Sequence, residues 1–204
     1  MHLSRPIAFA LALAAGASLA PRRAAAQSEP VAVVQGLCDA LVSSMKQGPA
    51  LGFAGRRQLL EPEIRLALNL PLMTRIVMGP PWRTFAPEQQ KQLVDAFSDY
   101  SIATYANQFS GFSGEKFIVD PATMTAANGD VIVHTKLVTK DPEPVRLDYL
   151  MRANEGVWKV IDVYLSGTIS QMAARRSEYS TVLRQGGPAA LVELLRKKTT
   201  ELSG

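Results

Sequence analysis

A chain of 204 residues, 47% hydrophobic, has length for one ordinary domain and enough apolar content for a real core, which excludes disorder over most of it. Its formal charge of +4 falls to +1 once residues 1–26, which carry Arg5, Arg22 and Arg23, are set aside, and a nucleic-acid partner then loses its main support. With Cys38 the only cysteine, an internal disulfide is excluded too.

Residues 1–26 read as a secretory signal peptide: Arg5 near the start, an apolar run over 7–20, and Ala24-Ala25-Ala26 as a small-residue cleavage site. The run is shorter than the roughly 20 residues that a transmembrane helix needs. Arg22-Arg23 follows it instead of preceding it, so the general secretory route and a periplasmic mature protein from residue 27 are expected.

Over residues 31–46 apolar side chains recur at Val34, Leu37, Cys38, Leu41, Val42 and Met45, which predicts an amphipathic helix ending near Gly48-Pro49, with Cys38 a buried, inert thiol. A helical stretch follows over 52–70. LPLMTRIVMGPPW, residues 70–82, is too apolar for a free connector and must be buried. Thr84 or Ala86 opens the next helix with Pro87 at its first position; Leu93, Val94, Phe97, Tyr100, Tyr105 and Phe109 give it an aromatic stripe. Four strands come next, over 116–120, 131–139, 144–152 and 157–165, with turn signals between them, and predict an antiparallel meander. In the third, Val145, Leu147, Tyr149 and Met151 alternate with Arg146, Asp148 and Arg152, giving one dry and one wet face. Helices over 168–183 and 188–201 close the chain, the first capped by Thr168. The order is that of an α+β fold, a helical part at 31–110, a sheet at 116–165 and C-terminal helices at 168–201.

Chemistry is hard to place on these elements. Ser43-Ser44-Met45-Lys46 matches a serine-x-x-lysine pattern, but Ser43 lies near the end of a predicted helix instead of its start. Ser166-Gly167 lacks the flanking glycines of a nucleophile elbow and reads as a turn. His134 is the one histidine after residue 26, so no metal site and no cofactor are expected. What remains is a surplus of large apolar groups: Leu72, Met73, Ile76, Val77, Trp82, Phe97, Tyr100, Tyr105, Phe109, Leu147, Tyr149, Met151, Trp158, Tyr164 and Ile169. Their spacing fits a plain core at least as well as the wall of an apolar cavity.

The ordered set Phe85-Ala86-Pro87-Glu88-Gln89-Gln90, Pro144-Val145-Arg146-Leu147-Asp148-Tyr149, Trp158-Lys159-Val160-Ile161-Asp162-Val163, and Gly167 followed by Arg176, Tyr179 and Leu183 resembles the MlaC family. This is the periplasmic lipid-carrier component of the Mla system, also called the toluene-tolerance auxiliary family, and it includes the hopanoid-associated HpnM proteins. The resemblance covers nearly the whole mature chain. It implies a curved four-stranded sheet of the nuclear-transport-factor-like kind packed on a helical subdomain around an apolar pocket, lined by the fifteen residues above. It further implies a phospholipid ligand shuttled between an outer-membrane lipoprotein complex and an inner-membrane ABC transporter, without enzymatic activity. The Pro80-Pro81-Trp82 segment departs from the best-known members and raises a stiffer, hopanoid-like lipid as an expectation. The rival readings are a lipid-free adaptor within a transporter complex and, more remotely, a serine hydrolase.

Overall fold

The computed structural model describes residues 29–203, so the expected signal peptide lies outside the described residues. Helix α1 (Pro30–Ala67) runs past the expected stop at Gly48-Pro49 and is broken instead at Gly52, where φ is 60°. Gly48 is nonetheless indispensable: a Cβ there would sit 2.1 Å from the Ser110 carbonyl oxygen. Beside that contact, buried Arg56 donates to the Ala106 carbonyl at 2.8 Å and Ser44 donates to the Phe109 carbonyl at 3.1 Å. These satisfy carbonyls left without partners at the end of α3 (Pro87–Gln108) and fix that end against α1.

The apolar stretch at 70–82 forms α2 (Leu70–Met78) and a 3-10 turn, Pro80–Thr84. Asn69 caps α2 by accepting from the Leu72 amide at 3.1 Å. Ala86 is the N-cap of α3, with Pro87 in its first turn as the sequence predicts. The Gln90 amide reaches back to the Trp82 and Phe85 carbonyls, docking the 3-10 turn on α3.

Five antiparallel strands follow in the order of the chain: β1 (Lys116–Thr125), β2 (Val131–Val138), β3 (Val145–Asn154), β4 (Val157–Leu165) and β5 (Ile169–Ser170). The sequence predicts four, the first ending before Pro121. Strand β1 continues through Pro121 because the proline sits in a bulge between Val119 and Thr123 on an edge strand, where no ladder amide is needed. The fifth strand comes from the Ser166-Gly167 corner. With φ of 53° and 74° at its central residues and Thr168 donating to Leu165, the corner is a tight turn that folds Ile169 and Ser170 back on β4. Gly167 is doubly required, since a Cβ would also lie 2.9 Å from the Arg146 guanidinium. Helix α4 (Gln171–Glu201) therefore starts later than expected, with Ser170 and not Thr168 as its cap, and the two predicted C-terminal helices form one element kinked at Gly187.

The helices cover one face of the sheet. Val131, Val133, Tyr149, Met151 and Val160 join Leu37, Leu41, Ile64, Phe97 and Leu195 in a single buried cluster. The other face is polar and paired. Asp148 accepts from Arg146, at 2.6 Å and 3.1 Å, and lies 3.0 Å from His134 Nδ1. Asp130 takes both arms of Arg152, at 2.8 Å and 2.7 Å, together with the Asn128 amide.

The Arg152 fork holds the Asp130 carboxyl below the usual carboxylate range, against the opposing effect of burial. A depressed folded-state pKa stabilises above the unfolded value of about 3.9, and that stability is lost as pH falls through the folded value. Asp130→Asn is expected to destabilise the protein by about 1–3 kcal/mol at pH 7. In urea titrations the gap between the two proteins should shrink once the pH drops below about 4; a gap constant down to pH 2 would contradict this role.

Candidate functional site

The dry face of the sheet is not fully covered. Between it and the helices lies a cavity of about 210 Å³. Its sheet wall is Leu147 and Tyr149 of β3 with Val163 and Leu165 of β4; its helical wall is Ser101, Thr104, Tyr105, Gln108 and Phe109 of α3. Leu68 and Met73 close one side, and Gln171, Met172 and Arg175 of α4 the other.

The register of β4 decides which residues reach it. Leu150 pairs with Asp162 but Met151 with Val160, so Ile161 is an extra residue in a bulge. Simple alternation would put Trp158, Val160 and Tyr164 on one face. The bulge instead turns Val163 and Leu165 inward and sends Tyr164, opposite Asp148, to the polar face. The Tyr164 phenol is pushed up by burial, then by Asp162 and Asp130, as befits that acidic surface.

Of the fifteen residues singled out by sequence, Met73, Tyr105, Phe109, Leu147 and Tyr149 meet at this cavity. Val77, Phe97 and Met151 are fully packed in the core, and Ile76, Tyr100 and Trp158 are half-buried against it. Leu72 is half-buried on α2, and Ile169 stands out to solvent on β5 at 53% exposure. Trp82 lies in a separate groove that also includes Arg75, Arg83 and Arg176. The residues the sequence reading omits are the small and polar ones. Ser101, Thr104 and Gln108 share a helical face with Tyr105 at spacings of three, four and seven, a signal masked by attention to the aromatic stripe.

The cavity wall holds phenols but no carboxylate. Tyr105 and Phe109 stack with centroids 5.9 Å apart. Burial pushes the Tyr105 phenol up to about 12 and that of Tyr149 higher still. Both are neutral hydrogen-bonding groups at any physiological pH. Arg175 is the one charged residue of the lining. Burial works against its charge, and the phenolic groups of Tyr179 and Tyr100 more than offset that, so its pKa is raised.

The two serine patterns gain no catalytic partners. Ser43 accepts from Gln47 in the middle of α1, Lys46 lies over the Phe112 ring, and Ser166 is the positive-φ residue of the turn. Among the described residues no three or more His, Cys, Asp or Glu side chains gather as metal ligands, and no helix is long and apolar enough to cross a membrane.

The fold and cavity thus define an α+β protein with an antiparallel meander, helices on one face, and an apolar recess between them. The MlaC protein family model matches residues 35–197, and the chain belongs to that family. A comparison with curated proteins gave no match. Among solved structures, the phospholipid-binding protein from Ralstonia solanacearum, determined in complex with a phospholipid, is similar at 27% identity and a TM-score of 0.75. The match covers 87% of this chain and all of that one.

Cys38, behind the cavity floor, is fully buried, and burial pushes its thiol up to about 12 while Tyr149 hydrogen-bonds to it. It should not react with Ellman's reagent at pH 8 in the native protein and should titrate as one thiol in guanidinium chloride. Prompt native labelling would mean that the core over the cavity opens readily.

Proposed function

We propose that the chain is a periplasmic carrier that binds a phospholipid by its acyl chains in the cavity between the sheet and α3–α4. It would move lipid, without chemical change, between an outer-membrane lipoprotein complex and an inner-membrane ABC transporter. The observation that carries this reading is the uncovered part of the sheet's dry face, where Leu147, Tyr149, Val163 and Leu165 face a recess instead of a packed helix. Family membership and the phospholipid-bound relative support it.

The energetics suit such a ligand. Each methylene moved from water to an apolar site contributes about 0.8 kcal/mol, so acyl chains bind well without polar recognition. The cavity volume also sets a condition. If a methylene takes up about as much space as a water's share of the liquid, ~30 Å³, then 210 Å³ admits roughly seven of them. Two full acyl chains require α3 and the start of α4 to move away from the sheet.

Organic extraction and native mass spectrometry of the purified protein test the assignment directly. Phospholipid at near-stoichiometric occupancy is expected; an empty extract would favour a lipid-free adaptor, and a polycyclic terpenoid would replace the ligand class. Leu147→Trp, which fills the cavity from the sheet side, should lower occupancy about tenfold or more, because losing even two methylenes of contact costs about 1.6 kcal/mol. Ile118→Trp, at a half-exposed position on the polar face, should leave it unchanged.

Hydrogen exchange of loaded and delipidated protein probes the required opening. Removal of lipid should alter protection chiefly in residues 101–109 and 171–179. Identical exchange in both states would contradict the movement.

A further inference from the structure

Arg175 differs from the other arginines that have partners in this protein. Arg57 and Arg65 pair with carboxylates on α1 and α3, and Arg146 and Arg152 with carboxylates on the sheet. Buried Arg56 is held by two backbone carbonyls. Arg175 appears in no ion pair among the described residues. Its guanidinium carbon lies 5.1 Å from the centroid of the Tyr100 ring, and its Nη1 donates to the Tyr179 hydroxyl at 3.2 Å. Lys198, already paired with Glu178, sits 5.9 Å from the same Tyr100 ring and adds positive potential.

A guanidinium offers five N–H donors in a rigid fork, and withdrawing it from water without an anion is costly. Two phenols and an aromatic face engage Arg175 on one side; the residue otherwise lines the cavity. Gln108, exposed at the end of α3, and half-buried Gln171 and Thr104 form the polar part of the same lining, whereas Tyr149 and Met172 are buried deep within it. The recess is therefore polarised, with an apolar floor and a mouth that carries one cation, amide groups and no acid.

We propose that Arg175 binds the phosphate of the lipid head group at the cavity mouth and so selects phosphodiester lipids over uncharged ones of equal chain content. The inference rests on the carrier reading and names the head-group chemistry of that site. A phosphodiester anion above the acyl chains supplies the missing counter-charge, in the two-pronged geometry for which arginine is suited. Tyr100 and Tyr179 act as positioning residues that hold the fork at the rim. An uncharged polycyclic lipid would leave Arg175 unpaired.

Delipidated full-length mature protein is offered a fluorescent phosphatidylglycerol and a fluorescent diacylglycerol with the same acyl chains. Wild type is expected to prefer the phospholipid, and Arg175→Gln to reduce that preference roughly ten- to a hundred-fold through weaker phospholipid binding, with diacylglycerol uptake unchanged. Arg175→Lys should keep part of the preference, which a purely structural role would not produce. Diacylglycerol uptake also reports that each variant is folded. An unchanged ratio in Arg175→Gln overturns the proposal, as does equal loss of both lipids in both variants. Uptake of neither lipid by wild type overturns the carrier reading itself. Glycerol phosphate at millimolar concentration should not compete; competition would assign Arg175 to a free phosphate ester and overturn the head-group assignment.

Discussion

The Asp162 carboxylate ties the sheet to the helix that closes it. It lies on β4 directly after the bulged residue, accepts from the Met172 amide at 3.1 Å and from the Ser170 hydroxyl, and thereby meets the amides at the start of α4. A carboxylate is favoured there by the unsatisfied N–H groups and the positive end of the helix. The same residue therefore fixes two things at once. It anchors the bulge that turns Val163 and Leu165 toward the recess, and it sets where α4 begins, so that Met172 and Arg175, four and five residues or fewer along the first turns, overhang the same space. Without that anchor the β5 turn has little to hold it, since Ile169 is exposed and the strand is two residues long.

Much of the architecture was legible because it follows from local chemistry. The periodicity of 31–46, Pro87 after Ala86, and the alternation along β3 each specify an element with little help from distant contacts, and all three appear where expected. The misreadings share a cause, which is that a residue with a strong local signal can be overruled by its strand neighbours. Pro121 signals an end to a strand, yet it is absorbed in an edge bulge. VWKVIDVYL alternates well enough to suggest one face throughout, but bulging at Ile161 is set by pairing with β3 and by the Asp162 anchor, neither of which periodicity encodes. Tyr164 consequently faces the acids of the polar surface while the less conspicuous Val163 and Leu165 take the cavity side.

The distinction between core and cavity wall was the least legible of all. Phe97 and Tyr105 lie on one helix and carry the same kind of signal, yet Phe97 is completely packed and Tyr105 borders the recess. What separates them is the neighbour across the interface. Phe97 meets large side chains of the buried cluster; Tyr105 stands beside Ser101, Thr104 and Gln108, whose short or solvated side chains leave the space unfilled. A cavity is made by the residues that fail to fill it, and a search for large apolar groups passes over them.

That origin bears on how a carrier can both hold and surrender its cargo. A large preformed apolar chamber would bind two acyl chains with the full transfer free energy, about 0.8 kcal/mol for each methylene, and release would be slow. A recess with room for roughly seven methylenes must instead be widened as chains enter, and the work of parting α3 and α4 from the sheet is subtracted from the gain. The seam is built for such movement to be bounded. Arg56 and Ser44 hold the end of α3, and Asp162 holds the start of α4. Between these fixed ends the contacts across the recess are apolar or made by neutral phenols, with no ion pair spanning it among the described residues. Opening therefore breaks dispersion contacts that the incoming chains replace one for one, and closing after release restores them, so the net affinity is set by a difference small enough for a partner complex to reverse.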